Sequence, residues 1–208
     1  MSEKRESNLG GDYDDFDNAF SDGPMTEEEE AVAENIWEKD MGSKTIFLKV
    51  KKDETVRIVT NPIQFWSLFH NKKVVRVDYE TCLRVCKDYK KEFDFIPTDS
   101  FSMVVIDRAD GEVKFLEVKR TIFLEMQKRY KATHVLPHSL TDGGDWALGV
   151  EGKGLKTKYS AIYLDKSPLT QDEKEAVKTF LSENAQHMEH FLTKADYDEA
   201  VKTLELKA

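Results

Sequence analysis

From Val113 to Tyr163 the chain reads as a strand, a helix and two further strands, and that succession limits the folds open to it. Val113 to Val118 has the apolar content of a strand. Thr121 then stands where a helix is capped, and Ile122, Phe123, Met126 and Tyr130 follow as its inward side. Lys128, Arg129 and Lys131 fall on its outer face and in its last turn. The helix ends before Pro137, and Trp146–Glu151 and Lys158–Leu164 are two more strands. Gly152 and Gly154 lie between them, where the turn needs backbone conformations that β-branched residues resist.

Upstream, the period is two from Lys44: Ile46, Leu48 and Val50 alternate, and Val56, Ile58 and Val59 follow a turn at Lys52-Asp53-Glu54. Ile63–Phe69 and Val74–Tyr79 flank His70-Asn71-Lys72-Lys73, a polar four-residue connection of hairpin length. Glu80 to Asp99 fits neither the helix nor the strand template and reads as a basic, aromatic functional loop. Phe101–Asp107 and Val113–Val118 pair across Arg108-Ala109-Asp110-Gly111, whose Asp-Gly step is a strong hairpin signal. The order predicts a mainly β domain over residues 43–166: a five-stranded Greek-key barrel of the OB type, with a helix between strands 3 and 4.

The ends differ in character. Residues 1–25 lack periodicity and are strongly acidic, which predicts a disordered arm. Thr26 and Glu29 form a capping box for an amphipathic helix over residues 26–42, with Val32, Ala33, Ile36 and Trp37 as its apolar stripe. A second capping box, Thr170 with Glu173, opens a helical C-terminal extension over residues 167–208. Its first helix carries Val177, Phe180, Leu181, Met188, Phe191 and Leu192, and a shorter one spans Lys194 to Leu206.

Charge is distributed in the same three parts. Residues 1–40 carry 14 acidic and 3 basic side chains and residues 165–208 carry 10 and 6, whereas residues 41–164 carry 16 and 22. The formal net charge of -9 therefore conceals a basic middle, which leaves a polyanionic partner open. No apolar run approaches the ~18 residues of a membrane span. Two cysteines and no apolar leader point to a cytoplasmic protein. No phosphate-binding glycine loop, His-Glu-x-x-His or Gly-x-Ser-x-Gly is present, so neither an enzyme nor a cofactor is expected.

Holding a single strand without reading its sequence requires aromatic faces for bases and cations for phosphates. The segment from Phe65 to Phe95 has both. Trp66, Tyr79, Tyr89 and Phe93 are the candidate stacking residues, and Lys72, Lys73, Arg76, Arg84, Lys87, Lys90 and Lys91 the candidate phosphate contacts. The competing reading is that these aromatics are core: alternation places Phe65 and Phe69 with Ile63, and Trp66 with Leu68 on the other face. Lys153, Lys156 and Lys158 around the glycine turn are a second basic cluster, or merely solvated lysines of a hairpin. His70, Cys82 and Cys86 offer a weak three-ligand set for zinc, against which stands the reading of two reduced thiols packed near the core.

The run FLEVKRTIF, the helix after it, and GDWALGVEGKGLKTKYSAIYLDKSPLT resemble the OB-fold single-stranded-DNA-binding proteins of tailed bacteriophages, the helix-destabilising proteins of replication. The matching positions are Asp145, Leu148, Gly152, Gly154, Leu155, Thr157 and Tyr159, and the likeness spans about Ser43 to Thr170. The chain departs from that family in two ways. A zinc-suited cluster is reduced to His70, Cys82 and Cys86, and the acidic partner-binding tail is at the N-terminus instead of the C-terminus. The resemblance implies binding of single-stranded DNA in replication or recombination, in the host cytoplasm, with replication proteins met through the acidic arm or the C-terminal helices. The alternatives are an OB-fold module that binds a polymerase or replisome subunit, and a single-stranded RNA binder.

Overall fold

The computed structural model describes residues 46–50, 54–93, 96–152 and 157–207. The acidic arm and the helix expected over residues 26–42 lie outside them. In chain order the elements are β1 (Phe47–Leu48), β2 (Glu54–Ile58), β3 (Ile63–His70), β4 (Lys73–Val77), α1 (Tyr79–Asp88), β5 (Asp99–Asp107) and β6 (Val113–Lys119). There follow α2 (Arg120–Thr133), β7 (Gly144–Glu151), β8 (Lys158–Lys166), α3 (Gln171–Glu183), α4 (Ala185–Leu192) and α5 (Tyr197–Thr203).

All eight strands belong to one sheet whose spine is β5, buried at every position. Along one edge β5 pairs antiparallel with β6, from Ser100↔Lys119 to Ile106↔Val113. Its other edge is shared: its C-terminal end pairs with β2 and its N-terminal end with β3. The sheet continues through β7 to β8 on one side and through β6 to the parallel β1 on the other, while β4 hangs from β3. Helices contribute about as many residues as strands, so the fold is mixed α/β and not mainly β. Five strands and a closed barrel are corrected to eight strands in an open sheet, since β6 and β8 do not pair among the described residues.

Several local expectations fail. The expected loop after Glu80 is α1, opened by Asp78, whose side chain accepts from Thr81 N at 2.7 Å. Cys82, Val85 and Cys86 are its buried stripe, at helical spacing, with the cysteines acting as small hydrophobes. The long C-terminal helix breaks at Asn184, whose Nδ2 donates to Phe180 O at 2.9 Å while its own carbonyl accepts from His187 N. The Thr170–Glu173 capping box forms as read. At α2 the strand runs straight into the helix, so Lys119 is the N-cap residue without a side-chain cap and Thr121 is already inside. Ile122 and Met126 are buried there, while Tyr130 is 39% exposed instead of facing inward.

Both faces of β5 are covered. Phe101, Met103 and Val105 meet Val56, Leu116, Trp146 and the α2 residues Ile122 and Met126. On the opposite face, Val104 and Ile106 pack with Phe115, Leu169, Val177 and Phe191 under α3 and α4. A third cluster joins Leu68 and Val77 of the β3–β4 hairpin to α1 and to Ala200 and Leu204 at the C-terminal end. Each fully buried Leu, Ile or Phe contributes roughly 1.5–3 kcal/mol, so the C-terminal helices are an integral layer and not an appendage. Arg57 ties the layers: buried on β2, it donates to Ser167 O at 2.8 Å, Pro137 O at 3.0 Å and Ser139 O. Gly143 lacks a side chain because a Cβ there would lie 2.6 Å from Arg57 Nη2.

Candidate nucleic-acid interface

The β3–β4 hairpin turns on two residues, Asn71 and Lys72, with φ of 50° and 61°, in place of the expected four-residue connection. Lys72 is thereby carried, exposed, at the hairpin tip. The register Gln64↔Phe101 and Trp66↔Asp99 puts Gln64, Trp66 and Leu68 on the same sheet face as Phe101 and Met103. Phe65 faces the other way, as the alternation predicts.

Trp66 is half-buried and its ring lies 5.2 Å from that of Tyr79, the first residue of α1. Tyr89, directly after α1, and Phe93 pack with Trp66 against the cluster of Leu68, Cys82, Val85 and Cys86. These rings rest on a core, and each keeps some exposed surface.

The cations divide into three groups. Lys87, Lys90 and Lys91 are exposed at the end of α1 and in the turn after it, beside Asp88 and Glu92. Lys73 pairs with Glu205 at 2.6 Å, and the Arg84 guanidinium lies 3.8 Å over the Tyr197 ring. Arg76 is committed inside the fold: it pairs with Glu117 and sits between the Phe65 and Phe191 rings, 4.8 and 4.5 Å away. Burial pushes its guanidinium below the ordinary value, with Glu117 opposing. Lys158 opens β8, exposed and paired in register with Glu151, three strands away from β5. Lys153, Lys156 and Phe95 lie outside the described residues.

Several residues that sequence reasoning missed share the Trp66 face. Gln64 Nε2 donates to Asp99 Oδ2 at 2.5 Å, and Arg120 Nη1 lies 3.5 Å from Asp99 Oδ1. The Arg120 side chain is 39% exposed, a cation held at the start of α2 by a buried carboxylate. Beyond it Phe123 stacks on Phe101 with centroids 3.7 Å apart. From Trp66 and Tyr79, past Gln64 and Arg120, to Phe123, rings and a cation follow one another on one face. Strict alternation from Trp66 to Gln64 was the available signal, whereas Arg120 reads only as a helix start.

Among the described residues no three His, Cys, Asp or Glu side chains converge as a metal site. His70 faces Phe93 and Glu92, so the ligand set of His70, Cys82 and Cys86 is not assembled. Cys82 and Cys86 are buried one turn apart, and their mutual hydrogen bond together with burial pushes the Cys82 thiol up. No described helix is long and apolar enough to cross a membrane. No family model matches the sequence, and no curated protein matches it.

Proposed function

We propose that this chain binds single-stranded DNA, in phage-type replication or recombination, by sequence-tolerant stacking and phosphate contact. In this reading β2, β5, β6, β7 and β8 are the five strands of an OB-type barrel that stands open between β6 and β8. Support comes from the connectivity: β2 pairs with both β5 and β7, and α2 links the third of these strands to the fourth. The observation that carries the function is the supported aromatic pair of Trp66 and Tyr79 on the sheet face that also holds the half-exposed Arg120, with exposed lysines at the end of α1 and in the turn after it. Binding is passive: bases stack, counterions leave the phosphates, and affinity falls steeply as salt rises. Anisotropy of a labelled oligo-dT at two salt concentrations tests it, and absence of binding at low salt, also after deletion of residues 1–25, overturns it. Competition by matched RNA oligomers measures the preference for deoxyribose.

One observation favours a protein partner as well. On the terminal strand β8, Ile162 and Leu164 are 62% and 51% exposed, an apolar pair on an edge strand with no further partner among the described residues. A replisome subunit would be retained in a pull-down that nuclease leaves unchanged.

A further inference from the structure

A cavity of about 280 Å³ opens where α2 crosses the end of β2 and the middle of β5. Met103 and Met126 form its floor, and Phe123 and Tyr130 are its aromatic walls. Phe123 is held by its stack on Phe101, whereas Tyr130 stands partly in solvent at the mouth. Three polar side chains complete the lining: Asn61, Gln127 and His138.

The lining carries no carboxylate and no lysine or arginine, so an ionic ligand finds no partner inside. An aliphatic anchor would leave the polar groups without bonds. Each carboxamide brings donors and an acceptor, and burial, with Arg57 nearby, holds the His138 imidazole towards its neutral form, which offers one of each. Flat apolar walls with neutral donors and acceptors at the rim suit a planar heterocycle with a polar edge. The volume is just under the roughly 300–1,000 Å³ of sites for larger ligands.

We propose that this cavity takes one unstacked nucleobase of the bound strand. The proposal rests on the reading of the chain as a single-strand binder and extends its site. Pro62 immediately precedes β3, and Trp66 lies four residues further on the face that carries Gln64 and Phe101, about 13 Å at the rise of a strand. Arg120, held at Asp99 beside Gln64 on this same face, would contact the connecting phosphate. The strand thus runs from the Trp66–Tyr79 pair to the cavity.

Methyl-labelled methionine spectra of the full chain, titrated with oligo-dT, test this directly. The Met103 and Met126 methyl signals should move, while Met188, packed beneath the opposite sheet face, stays fixed. Asn61→Trp, which closes the mouth, should weaken binding about tenfold, within the range of one lost stack. Its salt slope should be unchanged because the phosphate contacts persist. If DNA binds but the two methyl signals do not move, or if Asn61→Trp binds with unchanged affinity, the cavity proposal is overturned while the single-strand reading stands. No oligonucleotide binding by the unaltered chain overturns both. The spectra decide the matter even where Asn61→Trp fails to fold.

Discussion

The ring of Trp66 lies 5.2 Å from that of Tyr79 at an interplanar angle of 43°, which joins β3 to the first turn of α1 through one half-exposed aromatic pair. A base stacked on such a pair contributes about 1–3 kcal/mol, so Tyr79→Ala should weaken oligo-dT binding roughly 5- to 150-fold. Trp66 also packs on the α1 cluster, so Trp66→Phe, which keeps an aromatic ring, is the better companion to it. Quenching of tryptophan emission by DNA should largely vanish in Trp66→Phe and survive in Trp146→Phe, because Trp146 is 2% exposed. Unaltered quenching in Trp66→Phe would remove Trp66 from the site.

Lys87, Lys90 and Lys91 differ from Arg76 in what surrounds them, and the two groups should fail differently. Replacing the three exposed lysines by Ala should make the plot of log affinity against log salt shallower by about 2, at ~0.7 per lost phosphate contact, with little change in melting temperature. Arg76→Ala instead empties the space between Phe65 and Phe191 and leaves Glu117 without this partner, and should cost about 1.5–3 kcal/mol of stability. Its folded fraction should keep the parent salt slope. A flattened slope in Arg76→Ala would return that residue to the interface.

What was legible in the sequence is the chemistry carried by neighbours in the chain. Asp110-Gly111 marks its own turn, with Gly111 at φ 76°, and Thr170 with Glu173 marks its own helix start. Gly152, at φ 86°, likewise fits the turn read after β7. Burial set by distant partners was not legible. Arg76 and Lys91 look alike as cations in a basic segment, and only the arrival of Phe191 from α4 and Glu117 from β6 separates them. α1 was missed because the basic and aromatic residues of the segment hide its pattern, in which Cys82 and Cys86 complete an apolar stripe with Val85. That Gln64, Arg120 and Phe123, three of the five residues that run from Trp66 to Phe123 on this face, come together depends on the register of β3 against β5, which no local pattern states.

The hairpin tip stores a local cost. Lys72 has φ of 61°, a left-handed conformation that costs an L residue about 1–2 kcal/mol, whereas glycine adopts it freely. Lys72→Gly should raise the urea midpoint, with a net gain of up to about 1 kcal/mol after the greater entropy of an unfolded glycine. The same substitution removes a cation, so the salt slope should fall by about 0.7 if Lys72 meets a phosphate. Greater stability with an unchanged slope would confine Lys72 to the turn.

Glu173 links acid stability to the seating of α3. Burial alone would raise its carboxyl, but hydrogen bonds from Arg108 and the Thr170 backbone outweigh that and hold it below the ordinary glutamate value. A depressed carboxyl contributes stability that is fully present above the unfolded value of about 4.3 and is lost as pH falls through the folded one. Glu173→Gln should therefore lower the urea midpoint by a constant amount from pH 6 to 8, equivalent to roughly 1 kcal/mol. As pH falls below the unfolded value the gap should start to close, because protonation removes from the parent what the substitution removed from the variant. A gap that stayed constant down to pH 3 would assign the loss to the shape of the capping box and not to the charge beside Arg108.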